Sequence, residues 1–145
     1  MHHSYLLEPG RWRAQGVLKS PGGVEKRFTG HSEVSREGRS LIRVEAAVQL
    51  EGEGQVELRV RYRISLDGAR FTFEQHNETL GDMVGFGFMG EKAIVIVYRS
   101  AEQRGRYSGF ELLYQMADDR YLSIGCLMIN GVLNSMTEAT LERER

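Results

Sequence analysis

Apolar and polar residues alternate with a period of two along much of the chain. In the clearest stretch one face is apolar and the other carries arginines. The apolar set is Val56, Leu58, Val60, Tyr62, Ile64 and Leu66, and the arginines are Arg59, Arg61 and Arg63. Residues 42–50 and 108–116 alternate in the same way, and residues 12–18 do so more loosely. Such alternation is typical of half-buried β-strands, and no segment between residues 10 and 133 keeps a helical period.

Local turn signals divide the chain into segments about as long as a strand. The nine candidate turns are Pro21-Gly22-Gly23, Glu37-Gly38, Gly52-Glu53-Gly54, Asp67-Gly68, Gly81-Asp82, Gly90-Glu91, residues 101–105, Asp118-Asp119 and Asn130-Gly131. Asp-Gly and Asn-Gly favour hairpins, because both central residues of a type I′ turn take positive φ. Nine turns separate ten segments, so the sequence predicts ten short strands joined by hairpins.

Ten strands with short connections predict an antiparallel up-and-down meander. A sheet with one apolar face buries that face, and loses its exposed edges, by closing into a barrel. Residues 1–145 are therefore predicted to form a single all-β domain, a roughly ten-stranded closed barrel, with a two-layer sandwich as the alternative. Residues 4–9 are expected to form a short helical turn that closes one end. Residues 134–145 are expected to be the last strand, although Ser135-Met136-Thr137-Glu138 also fits a helix capping box.

The bulk composition limits the kinds of partner and the cellular compartment that we expect for this protein. The chain has 145 residues, with 19 Lys and Arg, 20 Asp and Glu, and a formal net charge of −1. This balance lacks the basic excess that nucleic acids and anionic membranes attract, so neither is expected as a partner. No apolar run is long enough to span a bilayer, and the amino terminus lacks the pattern of a signal peptide. The lone cysteine, Cys126, suits a reducing compartment, and we expect a cytoplasmic protein.

Residues 85–90, Gly-Phe-Gly-Phe-Met-Gly, match the spacing of a dinucleotide-binding turn. Such a turn must open a helix whose amino terminus holds the pyrophosphate. The residues that follow form a β-branched run typical of a strand instead. We therefore interpret the segment as a strand, with Gly85 and Gly87 on one face and Phe86 and Phe88 on the inner one. Glycines in a strand relieve crowding at a bend or beside a bulky neighbour.

The sequence Gly10-Arg11-Trp12 stands at the start of the first predicted strand. This Gly-x-Trp, together with the predicted barrel, resembles the calycin superfamily of lipocalins and fatty-acid-binding proteins. The resemblance implies that Trp12 packs across the closed end of the barrel and that a basic residue, Arg143 or Arg145, lies over its ring. It also implies a small ligand in the interior. The tail reads Leu141-Glu142-Arg143 and lacks the Arg-x-Tyr with which fatty-acid binders hold a carboxylate.

A ten-stranded barrel is wide enough to hold a ligand cavity. The alternation predicts an inner surface of apolar side chains with a few neutral polar groups. The predicted ligand-binding residues are Phe28, Ser32, Tyr62, Phe73, Gln75, Asn77, Phe86, Phe88, Tyr98, Ser108, Phe110 and Tyr114. Gln75 and Asn77 alternatively lie at a rim, where the strand runs into solvent. We expect non-catalytic binding of an apolar small molecule.

The sequence offers little catalytic chemistry. No ionisable residue is expected inside the barrel, with Lys26 placed at its open end, so acid–base catalysis lacks a proton carrier. Cys126 is interpreted as a small core residue and His2-His3 as a flexible terminus. The chain also resembles the haem-binding nitrobindin barrels, but His31 and His76 fall on predicted outer faces. No catalytic residue, metal ligand or cofactor is therefore predicted, and the chain is not expected to be an enzyme.

Two other functions stay open on the same scaffold. One is an isomerase or lyase whose substrate is steered by Tyr and Asn groups, and an interior charge would favour it. The other is a structural, self-associating barrel, which a filled interior would favour. Val95, Leu113 and Leu127 are expected on outer faces, where an apolar patch would suit a homodimer. The arginine stripe is interpreted as a solvated face neutralised across strands by the nearby residues Glu45, Glu57 and Glu74.

Overall fold

A computed structural model of the protein describes residues 2–52 and 57–145. Ten β-strands account for most of these residues, and no helix lies among them. The strands are β1 (Gly10–Lys19), β2 (Glu25–Arg36), β3 (Leu41–Leu50), β4 (Glu57–Asp67), β5 (Arg70–Asn77), β6 (Gly81–Met89), β7 (Ala93–Ser100), β8 (Tyr107–Ala117), β9 (Arg120–Ile129) and β10 (Val132–Arg143). Val56 and most of the predicted Gly52-Glu53-Gly54 turn lie outside the described residues. Over the described ranges, no helix has the length and apolarity that a bilayer crossing requires.

The ten strands form one closed antiparallel barrel. Each strand pairs with its neighbours in sequence, and β1 closes on β10 in a register that joins Trp12 to Arg143. The predicted up-and-down meander is confirmed, and the carboxy-terminal segment is a strand as expected. Asn130 and Gly131 take φ of 53° and 78°, the left-handed conformation that their tight hairpin demands.

Trp12 lies at the centre of the closed end of the barrel. It is fully buried, and its ring meets those of Tyr5 and Tyr121 at centroid distances of 5.1 and 5.8 Å. The Arg143 guanidinium carbon lies 5.9 Å from the centroid of the Trp12 ring, as the resemblance implied. Arg143 also donates a hydrogen bond to the Pro9 carbonyl oxygen (2.6 Å). One side chain of the last strand therefore holds both the first strand and the amino-terminal turn.

His3 fastens the amino-terminal segment across this closed end. Its Nε2 donates to the Gly90 carbonyl oxygen (2.8 Å), and its Nδ1 accepts from the Tyr121 hydroxyl (2.8 Å). The backbone N–H of Ser4 donates to the same hydroxyl (3.2 Å), and both His3 and Ser4 are buried. A turn over residues 5–7 stands at this end, as expected, but it is not helical, because Leu6 takes a left-handed φ of 71°. The interpretation of His2-His3 as a flexible terminus is wrong for His3.

Strand β6 turns its glycines, not its phenylalanines, toward the interior. A Cβ at Gly87 would lie 2.0 Å from Cζ of Phe71, and a Cβ at Gly85 would lie 2.5 Å from Cζ of Phe73. The two rings of β5 thus occupy the space over the two glycines. The glycines do relieve crowding beside bulky neighbours, as predicted, but those neighbours belong to the adjacent strand and the predicted orientation of β6 is wrong.

The arginine stripe on β4 faces solvent, as expected. Arg59 pairs with Glu57 (3.1 Å), and Arg63 pairs with Glu37 (3.4 Å). All the groups involved are partly or mostly exposed, so each pair contributes little stability. The sequence predicted that Glu74, the cross-strand neighbour of Arg63, would neutralise it. In the structure Glu37, in the β2–β3 connection, does so instead.

Candidate ligand-binding cavity

The barrel encloses a cavity of about 380 Å³. Most of its wall is aliphatic and aromatic, including Val44, Ile64, Phe71, Phe73, Ile96, Leu113 and Leu141. The polar side chains on the wall include Tyr5, Ser32, Tyr62, Tyr98, Glu111, Ser123, Ser135 and Thr137. An apolar cavity of this size with a few convergent polar groups is typical of a small-molecule site.

The cavity is more open at the end of the barrel away from Trp12. The inward side chains of Leu18, Phe28, Leu50, Leu58 and Val60 line it there and are only partly buried. At the other end Leu6 is buried beneath the amino-terminal turn. The cavity therefore has an apolar rim at its open end and an aromatic floor at its closed end.

Glu111 projects from β8 into this cavity. It stands in register with Ile96 of β7 and Gly125 of β9, which are both inward positions. Ser123 Oγ donates a hydrogen bond to Glu111 Oε1 (3.2 Å). A Cβ at Gly125 would lie 3.9 Å from Glu111 Cγ and 2.9 Å from Thr137 Oγ1, so these polar side chains cluster on three adjacent strands. The expectation that no ionisable residue lies inside the barrel is therefore wrong.

Burial shifts the protonation of this carboxyl. Loss of hydration in the apolar cavity raises the pKa of Glu111 above its ordinary value, and the hydrogen bond from Ser123 offsets part of that rise. Burial also raises the pKa of Tyr5 to about 12, and the pKa values of Tyr62 and Tyr98 are raised in the same way. The carboxylate of Glu111 adds to all three tyrosine shifts, which places the four groups around one space.

The tyrosine hydroxyls have different partners. Tyr98 donates to the backbone carbonyl oxygen of Cys126 (3.0 Å), and the Tyr5 hydroxyl lies 3.3 Å from Ser32 Oγ. The ring of Tyr62 packs on Phe73 with centroids 5.7 Å apart. These contacts fix the tyrosine rings around the cavity, so their positions do not depend on a ligand.

Seven of the predicted ligand-binding residues lie on inward faces. Phe28, Ser32, Tyr62, Phe73 and Tyr98 line the cavity. Gln75 lies beside Tyr62, on the same face of β5 as Phe73. Asn77 ends that face, and its Oδ1 accepts from the backbone N–H groups of Thr79 and Leu80 (2.9 and 3.0 Å). Asn77 thus caps a turn at the rim, which was the alternative interpretation.

The other five predicted residues point outward. Phe86 and Phe88 are 60% and 52% exposed, and Phe110 and Tyr114 are 43% and 41% exposed, although Phe110 also borders the cavity. Ser108 shares the outward face of β8 with the last two. Because β8 is reversed, Leu113, which was expected on the outside, is buried. Leu127 of β9 was also expected on the outside, and it lines the cavity. Only Val95 of the expected outer apolar set is exposed.

The hairpin pairing carries the signal that identifies Glu111 as interior. Ile94 and Ile96 of β7 are buried, and hairpin neighbours on one face of a sheet share that face. The residue opposite Ile96 is Glu111, and the residue opposite Ile94 is Leu113. A pattern read within β8 alone favours the opposite face, because that face holds more apolar residues.

The remaining candidates carry little chemistry. Cys126 lies on the face of β9 opposite to the inward residues, and it is half-buried. His31 and His76 are exposed, as expected, and His76 Nδ1 lies 2.7 Å from Asp82. Over residues 2–52 and 57–145, no group of three His, Cys, Asp or Glu side chains could hold a metal ion.

Comparison with known proteins supports the fold. The sequence matches no protein-family model and no curated protein sequence. Among solved structures it is similar to the S-type phycobiliprotein lyase CPES from Guillardia theta, with a TM-score of 0.70 and 11% identity over 95% of this chain and 89% of that one. It is also similar to a de novo designed fluorescence-activating β-barrel, with a TM-score of 0.46 and 13% identity over 99% and 100% of the two chains. The closed barrel and the first likeness fit a calycin-like fold.

Proposed function

We propose that the protein binds a small, mainly apolar molecule inside the barrel without altering it. The observation that supports this most directly is the cavity of about 380 Å³ with its aliphatic and aromatic wall. Rings such as Tyr98 are tied to the backbone by their own hydrogen bonds, so the site is formed before any ligand enters. A preformed apolar site binds a ligand with little ordering cost.

The first experiment is native mass spectrometry of the purified protein, compared with its denatured mass. Extra mass that leaves on denaturation identifies a captured molecule. The second is titration with the neutral dye N-phenyl-1-naphthylamine, whose fluorescence rises in apolar surroundings. No extra mass and no dye binding would contradict the proposal.

Two matched variants distinguish the interior from the surface. Ala46 lines the cavity from β3, whereas Gln49 faces outward on the same strand. Ala46→Phe fills the cavity and is expected to lower dye affinity about ten-fold or more. Gln49→Phe adds the same ring outside and is expected to leave that affinity unchanged. Equal affinities for the two variants would place the dye outside the barrel.

Glu111 supports a second candidate, an isomerase or lyase in which this carboxyl transfers a proton. Burial raises the pKa of this carboxyl, so it holds its proton to higher pH than an exposed glutamate and can donate it to a substrate. The fold is shared with a protein described as a lyase. The two candidates differ in outcome. A captured molecule that wild type converts, to a product of different mass or to one of equal mass and different chromatographic retention, favours the enzyme if Glu111→Gln leaves that molecule unchanged.

A further inference from the structure

The Glu111 carboxyl has few polar partners for a buried acid. Within the described residues its hydrogen-bond partner is the Ser123 hydroxyl, which donates to Oε1 (3.2 Å). A carboxylate has about four acceptor positions, so one hydroxyl leaves most of them open. Buried polar groups in native proteins are normally satisfied, and an exception deserves an explanation.

No lysine or arginine among the described residues lines the cavity around this carboxyl, and Lys26, on the inward face of β2, stands at the open end opposite Leu18. The imidazole of His31 is exposed on the outward face of β2. The ionisable side chains that share the cavity with Glu111 include the tyrosines Tyr5, Tyr62 and Tyr98. All of these are neutral near pH 7, so a carboxylate here has no countercharge within the cavity.

We propose that the ligand is an apolar molecule with a basic nitrogen, whose protonated N–H groups are held by the Glu111 carboxylate. This rests on the proposed function and narrows its ligand class. A charged N–H donor satisfies the open acceptor positions and supplies the missing countercharge. An acidic ligand, such as a fatty acid, meets like charge and an absence of cations. The polar cluster therefore selects against the ligands of fatty-acid binders.

The test compares three probes that share one chain length: decylamine, decanol and decanoic acid. Each displaces N-phenyl-1-naphthylamine at pH 7.5. For wild type we expect decylamine to bind about ten-fold more tightly than decanol, and decanoic acid to bind most weakly. Equal affinities for the amine and the alcohol would overturn the ligand class while the proposed function stood. A failure of the dye and of all three probes to bind would overturn the proposed function itself.

Variants then assign the preference to Glu111. Glu111→Gln keeps the side-chain size and removes the charge, so the ratio of decylamine to decanol affinity is expected to fall close to one. Glu111→Asp keeps the charge and is expected to retain a clear preference for the amine. Glu33→Gln removes a carboxyl from the outward face of β2 and is the matched control. A preference for decylamine that persists in a folded Glu111→Gln protein, checked by circular dichroism, would overturn the assignment.

A separate observation concerns the outside of the barrel, where β6, β7, β8 and β9 present a continuous apolar surface. Register places Phe86 beside Val97 and Val97 beside Phe110. A second row runs Phe88, Val95, Leu112 and Ile124. We call this the β6–β9 outer face, defined by Phe86, Phe88, Val95, Val97, Phe110, Leu112, Tyr114, Leu122 and Ile124. Soluble monomers rarely expose such a surface without a partner.

The area and the charges of this face fit a second copy of the chain. Its half-exposed aromatic rings, with the aliphatic residues between them, expose on the order of 600 Å², close to the ~800 Å² per partner of a standard interface. The second row ends in Arg70 on β5 and Glu138 on β10. A two-fold axis parallel to the strands places the basic margin of one copy opposite the acidic margin of the other. We infer that the protein forms a homodimer through the β6–β9 outer face, and this does not depend on the ligand.

Sedimentation equilibrium over a range of protein concentrations tests the dimer. Wild type is expected to be dimeric at about 100 µM, and Phe86→Lys is expected to be monomeric there, because it replaces the most exposed ring of this apolar face by a charge. Thr29→Lys, on the exposed outer face of β2, is the matched control and is expected to stay dimeric. A monomeric wild type, open-ended oligomers, or a Phe86→Lys dimer as tight as wild type would each overturn the inference.

Discussion

Replacing Gly87 by alanine tests the packing of β5 against β6. The added Cβ would lie 2.0 Å from Cζ and 2.4 Å from Cε2 of Phe71, whereas non-bonded carbons rest about 3.5–4.0 Å apart. The ring must therefore retreat by about 1.5 Å, because backbone on both strands is held by the ladder. Phe71 is buried and packs on Phe73, so there is little space to receive it. We expect Gly87→Ala to lower the free energy of unfolding by ~3 kcal/mol, the upper part of the range for overpacked cores.

The measurement is urea unfolding followed by the fluorescence of Trp12, the single tryptophan. Gly38→Ala is the control, because a Cβ there meets no atom within 4 Å and its φ is not left-handed. It should change stability by less than about 0.5 kcal/mol. In a Phe71→Leu background the same Gly87→Ala change should cost much less, since the clashing ring atoms are gone. A Gly87→Ala protein as stable as Gly38→Ala, or an equal loss in both backgrounds, would refute this account of β6.

Three further predictions concern the cavity and the closed end. Because the folded-state pKa of Glu111 is raised, its contribution to stability is complete below the unfolded pKa near 4.5 and is lost as pH rises through the folded value. Wild type should therefore lose stability relative to Glu111→Gln across that window, by about 1.4 kcal/mol per unit of pKa shift, as urea unfolding at several pH values would show. Arg143→Ala should lower Tm by several degrees more than Arg145→Ala, because only Arg143 lies over Trp12 and bonds Pro9; equal shifts in thermal melts would contradict this. His3→Ala should make Trp12 more accessible to acrylamide quenching than His2→Ala does, because it frees the amino-terminal segment; identical quenching would contradict it.

The architecture could be predicted from the sequence because strand identity and turn position are local properties. The Asn130-Gly131 turn needs two positive φ values, and these residue types supply them at low cost. The closure of β1 on β10 followed from the need to cover one apolar face and two edges. Even the contact of Arg143 with Trp12 was implied by the family resemblance. These features depend on residue types at known spacings, not on a choice between two similar faces.

The orientation of β6 and β8 could not be predicted from each strand by itself. Both faces of β8 carry apolar residues, so period two identifies a strand without saying which side is inside. Contacts between strands decide the orientation. On β6, the rings of Phe71 and Phe73 occupy the space over Gly87 and Gly85. On β8, the pairing of Glu111 with the buried Ile96 places it inside. This is why the central polar residue of the cavity was missed, and why the apolar outer surface was underestimated.

The pairing of β1 with β10 has a consequence for how the chain folds. The other nine strand pairings each join neighbours in sequence through a short connection, whereas this one brings Trp12 to Arg143 from opposite ends of the chain. This pairing has the largest loop-closure entropy cost of the ten. It can form only when a nearly complete sheet bends into a ring. We expect hairpins to form first and the ring to close last. Before closure the curved sheet has two free edges. The chain is therefore most prone to pair with another copy at this last open stage.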